Sequence, residues 1–307
     1  MIMRYRFLSN QRSVRNNSVP FVSVVIPTYN DTTSLKKCLA CMTLQTYPQD
    51  LYEVIVVNNN PEDVLDLNPE IKRFQLLTET KPGSYAARNL GVNHAIGEII
   101  AFTDADCLPA DNWLENGVKH LMNGAERVAG KVVFTFESDR LAPAEVYEKA
   151  FVFDQKRNVQ RGCSVTANLF VWKNQFNQVG LFEDTLMSGG DIEWGMRAHK
   201  VGLGIVFGED TIVRHPSRAM LSQIFKKTRR VSGGVVSAHT GDFWHNSLML
   251  LVRGFTPPVR KIGKAFKNKE LRFGQKVMAG CLAYVLKIYS TYHKLLIKFG
   301  ITKPTRS

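Results

Sequence analysis

The 307-residue sequence has few cysteines and no long apolar run. Its five cysteines are an odd, scattered set, which excludes a disulfide framework and is typical of a reducing compartment. No stretch approaches the ~20 apolar residues that span a bilayer, and the first residues lack the apolar segment of a signal peptide. From the sequence we therefore expect a cytoplasmic protein, at most attached to the surface of a membrane.

Two of the cysteines, Cys38 and Cys41, have the spacing of a redox or zinc half-site. The same stretch has apolar residues at helical spacing, and no second Cys or His pair in the sequence has the spacing of zinc ligands. We therefore interpret these cysteines as part of an amphipathic helix.

Acidic residues are scarce in one part of the chain. Residues 214–307 carry 19 basic and two acidic side chains, a net charge of +17. Residues 1–213 carry 21 basic and 25 acidic side chains, a net charge of −4. The net charge of the whole chain, +13, therefore arises entirely in its last third, which predicts two functional zones.

Apolar, β-branched segments alternate with helical patterns over the first part of the chain. We predict strands at 21–26, 53–57, 74–77 and 98–102, and helices after residue 31, at 84–96 and at 111–121. Farther along, we predict strands at 128–136, 168–172, 205–207 and 211–214, and helices at 143–155, 191–201, 218–239, 243–254 and 271–299. Such alternation predicts an α/β fold with a parallel sheet covered on both faces. Ligands of such folds bind beyond the carboxyl ends of the strands.

Asp104 and Asp106 directly follow a predicted buried strand, one residue apart. Paired carboxylates at that place suit Mg²⁺ or Mn²⁺ bound to phosphate oxygens. The alternative is a solvated turn, in which Asp is common. The position after the strand favours the functional interpretation.

A diglycine precedes Asp191 at the start of a predicted helix, with Glu193 and Trp194 following. Asp as an N-cap and Glu in the first turn explain these residues structurally. The functional interpretation is a general base on a mobile loop, with Trp194 as an apolar wall for a sugar or an apolar substrate. His215 becomes a metal-ligand candidate only if it lies near Asp106. Arg88, in a helix opened by a small-residue turn, is a candidate for binding anions or an ordinary surface arginine.

Five segments, in this order, resemble family 2 of the inverting glycosyltransferases, which have the GT-A fold. The segments are VSVVIPTYN (22–30), EVIVVNNN (53–60), KPGSYAARNLGVNHAIGEIIAFTDADC (81–107), GGDIEWGMR (189–197) and VRHP (213–216). The resemblance covers about residues 20–217 and implies a Rossmann-like, mostly parallel sheet flanked by helices. It also implies a nucleotide-diphosphate sugar as donor and a divalent metal, Mg²⁺ or Mn²⁺. The resemblance is to the bacterial enzymes of polysaccharide or glycolipid assembly.

Roles follow from the resemblance position by position. Asp191 matches the catalytic base, and Asp106 and His215 match metal ligands. The residues expected to bind the donor nucleotide are Pro27, Thr28, Asn30, Asn58, Arg88 and Asp104. Glu193 and Trp194 are expected near the acceptor.

Two positions depart from the family pattern. Asn58 stands where an Asp often contacts the nucleotide base, which leaves the identity of the nucleotide open. Gly190 stands where the base is usually preceded by Glu, and we expect a more flexible loop there.

The resemblance divides the chain into a loose arm (1–18), a GT-A domain (19–217) and a basic amphipathic helical extension (218–307). Apolar and aromatic residues interleaved with the basic ones are typical of helices on an anionic membrane surface. We therefore expect a hexosyl-type transferase that acts on a glycan or polyprenyl-linked acceptor at the inner face of the cytoplasmic membrane. Three alternatives remain open: a nucleotidyltransferase on a similar fold, a non-catalytic module that binds a membrane or nucleic acid, and a basic helical subdomain without a membrane. Nucleic acid is not expected as a partner, because no nucleic-acid-binding motif accompanies the charge.

Overall fold

A computed structural model describes residues 19–136, 138–151, 154–237 and 250–303 of the protein. Within these residues the strands form one sheet in the order β3-β2-β1-β4-β7-β6-β8-β5. The strands are β1 (Val22–Thr28), β2 (Tyr52–Asn58), β3 (Phe74–Thr78), β4 (Ile99–Thr103), β5 (Leu108–Pro109), β6 (Arg127–Thr135), β7 (Asn168–Trp172) and β8 (Val206–Pro216).

Helices connect and cover the strands. They are α1 (Thr32–Thr43), α2 (Ser84–His94), α3 (Trp113–Met122), α4 (Pro143–Ala150), α5 (Gln155–Gln160), α6 (Gln175–Val179), α7 (Gly190–Lys200), α8 (Leu221–Ser237), α9 (250–255), α10 (Val259–Lys267) and α11 (Phe273–Lys298). A 3₁₀ turn at Gln49–Leu51 precedes β2.

Parallel pairing in the first half of the sheet sets the position of the site. β1 pairs in parallel with both β2 and β4, and β2 pairs in parallel with β3. The carboxyl ends of β1 and β4 therefore lie side by side. β7 is antiparallel to β4 and β6, whereas β6 and β8 are parallel. The predicted α/β fold with a mostly parallel sheet is confirmed.

The two faces of the sheet have separate cores. Val24 and Val54 point into a core with α1 and α3, where Met42 and Trp113 are fully buried. Their neighbour Val25 points into the opposite core, with α2, α6 and α7. Burial on both faces explains why these strands read as continuous apolar runs rather than as alternating ones.

The structure differs from the predictions in several elements, and the short strand β5 and helix α6 were not predicted. The two short strands predicted at 205–207 and 211–214 are one strand, β8, whose pairing with β6 has an irregularity at Gly130/Lys131. The helix predicted at 143–155 is two helices, α4 and α5. Helix α10 was missed because Pro257-Pro258 suggested a separator, whereas Pro258 is its N-cap. Residues 1–18 and 238–249 of the predicted arm and helices lie outside the described residues.

The helical extension packs against α4 of the preceding part of the chain. One contact cluster contains Ala144, Ile224 and Leu286, and a second joins Val146 to Ala265 and Ala279. Along the part of the chain that the structure describes, no helix is long and apolar enough to cross a membrane. Cys38 and Cys41 lie within α1, as interpreted from the sequence.

Candidate active site

A cavity of about 630 Å³ opens beyond the carboxyl ends of β1 and β4, within the size range of small-molecule sites. The cavity brings together seven of the residues singled out in the sequence, and these are Pro27, Thr28, Arg88, Asp104, Asp106, Asp191 and His215. They come from the ends of β1, β4 and β8 and from the starts of α2 and α7. Distant stretches of sequence therefore converge on one site, as the parallel pairing of β1 and β4 requires.

Arg88 and Asp104 form an ion pair inside the cavity. Nη2 of Arg88 lies 2.5 Å from Oδ1 of Asp104, and Nη1 donates to the carbonyl of Ser84. The Arg88 side chain is buried, whereas the Asp104 side chain is about one-third exposed. The pair fixes the carboxylate of Asp104 at the end of β4 and places a positive charge beside it.

Asp106 and His215 face each other across a short gap. Nδ1 of His215 donates to the carbonyl of Pro216 at 2.7 Å, because a carbonyl oxygen only accepts. Nε2 is an acceptor in the imidazole tautomer that carries its proton on Nδ1, and it lies 3.4 Å from Oδ2 of Asp106. Two acceptor atoms this close together, one of them on a ring oriented by a backbone carbonyl, fit a bound cation.

Cys107 is the third member of this cluster, since its Sγ lies within 4.8 Å of the ligand atoms of Asp106 and His215. Burial, together with the carboxylates of Asp106 and Asp104, raises the pKa of the Cys107 thiol well above its usual value. A protonated thiol is a poor ligand for Mg²⁺ or Mn²⁺, which prefer oxygen and nitrogen. Asp106 and His215 are therefore the pair that could hold a divalent ion.

Asp191 is the second residue of α7 and lines the cavity. Its Oδ1 accepts from Tyr85 Oη at 3.1 Å and from its neighbour's backbone N–H, and Oδ2 faces the N–H of Thr166 at 3.4 Å. Burial raises the pKa of this carboxyl, although Arg88 and these donors act in the opposite direction. A carboxylate with a raised pKa in a cavity is a better proton acceptor than a surface one.

Gly190 is buried against the ring of Tyr85. A Cβ at position 190 would lie 2.8 Å from ring atoms of Tyr85, too close for any side chain. Gly189 has a φ of 83°, in the left-handed region that favours glycine. Packing therefore explains why a glycine stands at position 190: without a side chain, it leaves room for Tyr85, which donates to Asp191.

Trp194 and Glu193 do not line the cavity. Trp194 is fully buried in the core beside Phe176 and Phe182, and its Nε1 donates to the carbonyl of Gly180. Its position does not fit the expected acceptor wall, because the α7 face that carries it packs on the sheet. Glu193 instead pairs with Arg197 of the same helix at 2.7 Å.

Asn30 and Asn58 also lie outside the cavity lining. The Asn58 side chain is buried, donating to the carbonyl of Asp63 and accepting from the N–H of Asn60, so it holds the turn after β2. The exposed Asn30 accepts from the Asn60 side chain. Asn59 lines the cavity instead, and its Oδ1 accepts from the N–H of Gly83. Its place in the turn after β2 is the sequence signal that could have identified Asn59 as a cavity residue.

Basic residues of the helical extension also line the cavity, which the sequence did not predict. They are Arg218, Lys226, Lys227 and Arg230. Part of the C-terminal charge therefore belongs to the same cavity as the carboxylates. Sequence spacing alone could not reveal this, because it depends on how α8 packs against α4 and α11.

Comparison with known proteins identifies the family. The profile of glycosyl transferase family 2 matches residues 23–170. The chain is 38% identical over 228 residues to glycosyltransferase AglE of Haloferax volcanii, covering 72% of this chain and 74% of that protein. The chain belongs to glycosyl transferase family 2. It is therefore a glycosyltransferase, and its similarity to an archaeal relative means that the resemblance is not confined to bacterial enzymes.

Two more distant similarities accompany this one, and the first is to a solved structure and shows the fold. A mannosyltransferase of Pyrobaculum calidifontis, solved with GDP-Man and Mn²⁺, superimposes with a TM-score of 0.53 at 20% identity, covering 94% of this chain and 77% of that one. A Methanococcus voltae enzyme named as a glucuronosyltransferase acting on a dolichyl N-acetylglucosaminyl phosphate is 21% identical over 68% of this chain and 70% of its own length. The family 2 chain thus has the GT-A fold that its motifs implied.

Proposed function

We propose that this family 2 enzyme is a metal-dependent, inverting glycosyltransferase. It moves a sugar from a nucleotide-diphosphate sugar to a hydroxyl of a glycan or lipid-linked acceptor. The observation that carries the proposal is the convergence of Asp104, Asp106, Asp191 and His215 on one cavity beyond the carboxyl ends of β1 and β4. The roles proposed for these residues rest on their geometry and on their places in the family motifs.

Two buried polar atoms of the cavity support a bound donor. Oγ1 of Thr28 and Nε of Arg88 are buried, and each lacks a hydrogen-bond partner among the described residues. Buried polar atoms are costly unless a ligand satisfies them. Both residues belong to the set expected to bind the nucleotide sugar, and GDP-Man with Mn²⁺ in the Pyrobaculum relative is consistent with this assignment.

Asp106 and His215 would hold Mg²⁺ or Mn²⁺, which supplies positive charge to the departing diphosphate. Asp191 accepts the proton of the acceptor hydroxyl. The hydroxyl oxygen forms its bond to the anomeric carbon as the bond from that carbon to the diphosphate breaks on the opposite face. The sugar configuration is therefore inverted in one displacement, and Arg88 adds charge beside Asp104.

The acceptor side is proposed to lie at a membrane surface. Apolar side chains are exposed along α9–α11, among them Phe255, Val259 and Phe273 at 58%, 72% and 74% exposure. Basic residues of α10 lie among them. Cationic helices with exposed aromatic residues bind anionic membranes. We therefore place the enzyme on the inner face of the cytoplasmic membrane, in assembly of cell-surface polysaccharides or glycolipids.

Replacing Asp191 by Asn tests the catalytic assignment, because the amide cannot accept the proton. General-base catalysis contributes roughly 100- to 10,000-fold, so we expect kcat to fall within that range. Glu193→Gln, two residues along the same helix and outside the cavity lining, is the matched control and should retain near wild-type kcat. Activity is measured with a panel of nucleotide sugars, and the anomeric configuration of the product by NMR. Near wild-type turnover of Asp191→Asn would overturn the assignment.

A further inference from the structure

One face of α8 forms part of the cavity wall. The residues of α8 that line the cavity are Gln223, Lys226, Lys227, Arg230 and Val231. Their spacing of three, four, seven and eight residues places them on one side of the helix. We call these five residues the α8 stripe. It carries three cations and no acidic side chain, in the cavity that also contains the carboxylates proposed to serve the donor.

Glu148 of α4 is the counterion of Lys227, the middle residue of the stripe, and of Arg218. This carboxylate is 4% exposed and lies 2.7 Å from Nη1 of Arg218 and 3.5 Å from Nζ of Lys227. Burial alone would raise the pKa of Glu148, but these contacts hold it below its usual value. One carboxylate faces two cations, so positive charge remains in excess around it.

The rest of the stripe adds to the excess. Lys226 and Arg230 lie one helical turn apart, and no acidic side chain of the described residues forms an ion pair with either. Burial lowers the pKa of Lys227 to about 8, and nearby Arg218 and Arg230 act in the same direction. Cations held together at a cavity wall repel one another, and such an arrangement favours an anionic ligand.

The length of the stripe bears on how many anionic groups it can contact. Gln223 and Val231 are eight residues apart, about 12 Å along a helix that rises 1.5 Å per residue. One diphosphate is shorter than this span and cannot contact both ends of the stripe, so the cavity wall has room for a second anionic group. Val231, which is 40% exposed, adds an apolar contact there.

We propose that the α8 stripe binds the phosphate of a lipid-phosphate-linked acceptor. The inference rests on the proposed function, because it assigns the second substrate of the same cavity. Lys226 and Arg230 contact the phosphate oxygens, Arg218 and Lys227 keep the wall positive around Glu148, and Val231 meets the start of the hydrocarbon chain. An acceptor bound this way lies in the same cavity as Asp191, the group proposed to deprotonate its hydroxyl.

Calorimetry with soluble probes tests the proposal on the full chain. The probes are farnesyl phosphate, farnesol, and UDP or GDP with Mn²⁺. The double variant Lys226→Gln/Arg230→Gln is compared with Lys36→Gln/Lys37→Gln, which removes the same charge from exposed positions of α1 outside the cavity lining. We expect the stripe variant to bind farnesyl phosphate roughly tenfold or more weakly, because two charge-assisted contacts are lost. The α1 variant should bind it as the wild type does, and the nucleotide affinity should change less than twofold in both.

Any other result overturns either the proposal for the α8 stripe or the proposed function. Farnesyl phosphate affinity that is unchanged in the stripe variant, or equal to that of farnesol in the wild type, overturns the proposal. If the stripe variant loses affinity for the nucleotide and for farnesyl phosphate equally, the stripe binds the donor diphosphate, and the proposal is also overturned. If the nucleotide binds the wild type and farnesyl phosphate does not, this inference fails while the proposed function stands. If farnesyl phosphate binds through the stripe and no nucleotide binds, the proposed function fails instead.

Discussion

At the scale of single residues, the site depends on a few side chains whose surroundings give them different properties. Asp104 is paired with Arg88, Asp106 faces His215, and burial raises the pKa of Asp191. Three carboxylates of one cavity thus suit three tasks: positioning the donor, binding a cation and accepting a proton. The sequence motifs named all three, because each directly follows a strand or begins a helix. Tyr85 was missed, since nothing in its local pattern indicates that its hydroxyl reaches Asp191.

Tyr85→Phe tests the hydrogen bond to Asp191. The Tyr85 hydroxyl donates to the carboxylate and lowers its pKa, so removing the hydroxyl should raise that pKa further. A base works when deprotonated, and the acidic limb of the kcat/KM profile should therefore move to higher pH. Activity should recover on the alkaline side, which a merely structural defect would not allow. An acidic limb at the wild-type position would show that Tyr85 does not act on Asp191.

At the scale of elements, apolar strands were predicted well and long-range packing was not. Strands β1, β2 and β4 are buried on both faces, so their composition alone identifies them. β8 was divided in two because Gly208, Glu209 and Asp210 suggest a turn, yet these residues continue the strand. Trp194 was assigned to the acceptor from its position beside Asp191, whereas the turn of α7 rotates it into the core. Which side of a helix faces the sheet follows from tertiary contacts.

Gly190→Ala tests the packing of α7 on α2. The added methyl would lie 2.8 Å from the Tyr85 ring, so Tyr85 or the start of α7 must shift. We expect a loss of about 1–3 kcal/mol of stability, typical of overpacking, and a fall in kcat of roughly tenfold or more as Asp191 loses its position. Gly263→Ala in α10 is the control, since its Cβ would meet nothing within 4 Å. Thermal unfolding and turnover measure the two effects, and wild-type turnover in Gly190→Ala would contradict this account.

At the scale of the whole molecule, the distribution of charge separates two roles of the C-terminal part. Because the excess positive charge lies after residue 213, the sequence predicted a basic zone distinct from the catalytic one. The structure shows that α8 brings three of those basic residues into the cavity, and Arg218, just before α8, is a fourth. The basic face of α10 remains outside it, beside exposed Val259 and Phe266.

Flotation with vesicles tests the proposed membrane surface. We expect the protein to bind anionic vesicles and not zwitterionic ones, and high salt to weaken the binding, because each basic residue near the surface contributes about 1 kcal/mol. Phe255→Ser/Val259→Ser, at two exposed apolar positions, should reduce binding without lowering thermal stability. If the wild type does not bind anionic vesicles at moderate salt, the proposed membrane surface is wrong.

We propose that the cavity binds a nucleotide diphosphate through a divalent ion at Asp106 and His215. The most direct measurement is the thermal shift of the full chain with UDP and GDP, with and without Mn²⁺, in the wild type and in Asp106→Asn. A ligand that binds only the folded state raises the melting temperature. We expect a rise of several degrees for at least one nucleotide, present only with Mn²⁺ and lost in Asp106→Asn. An equal rise without the metal, or with Asn at position 106, would contradict it.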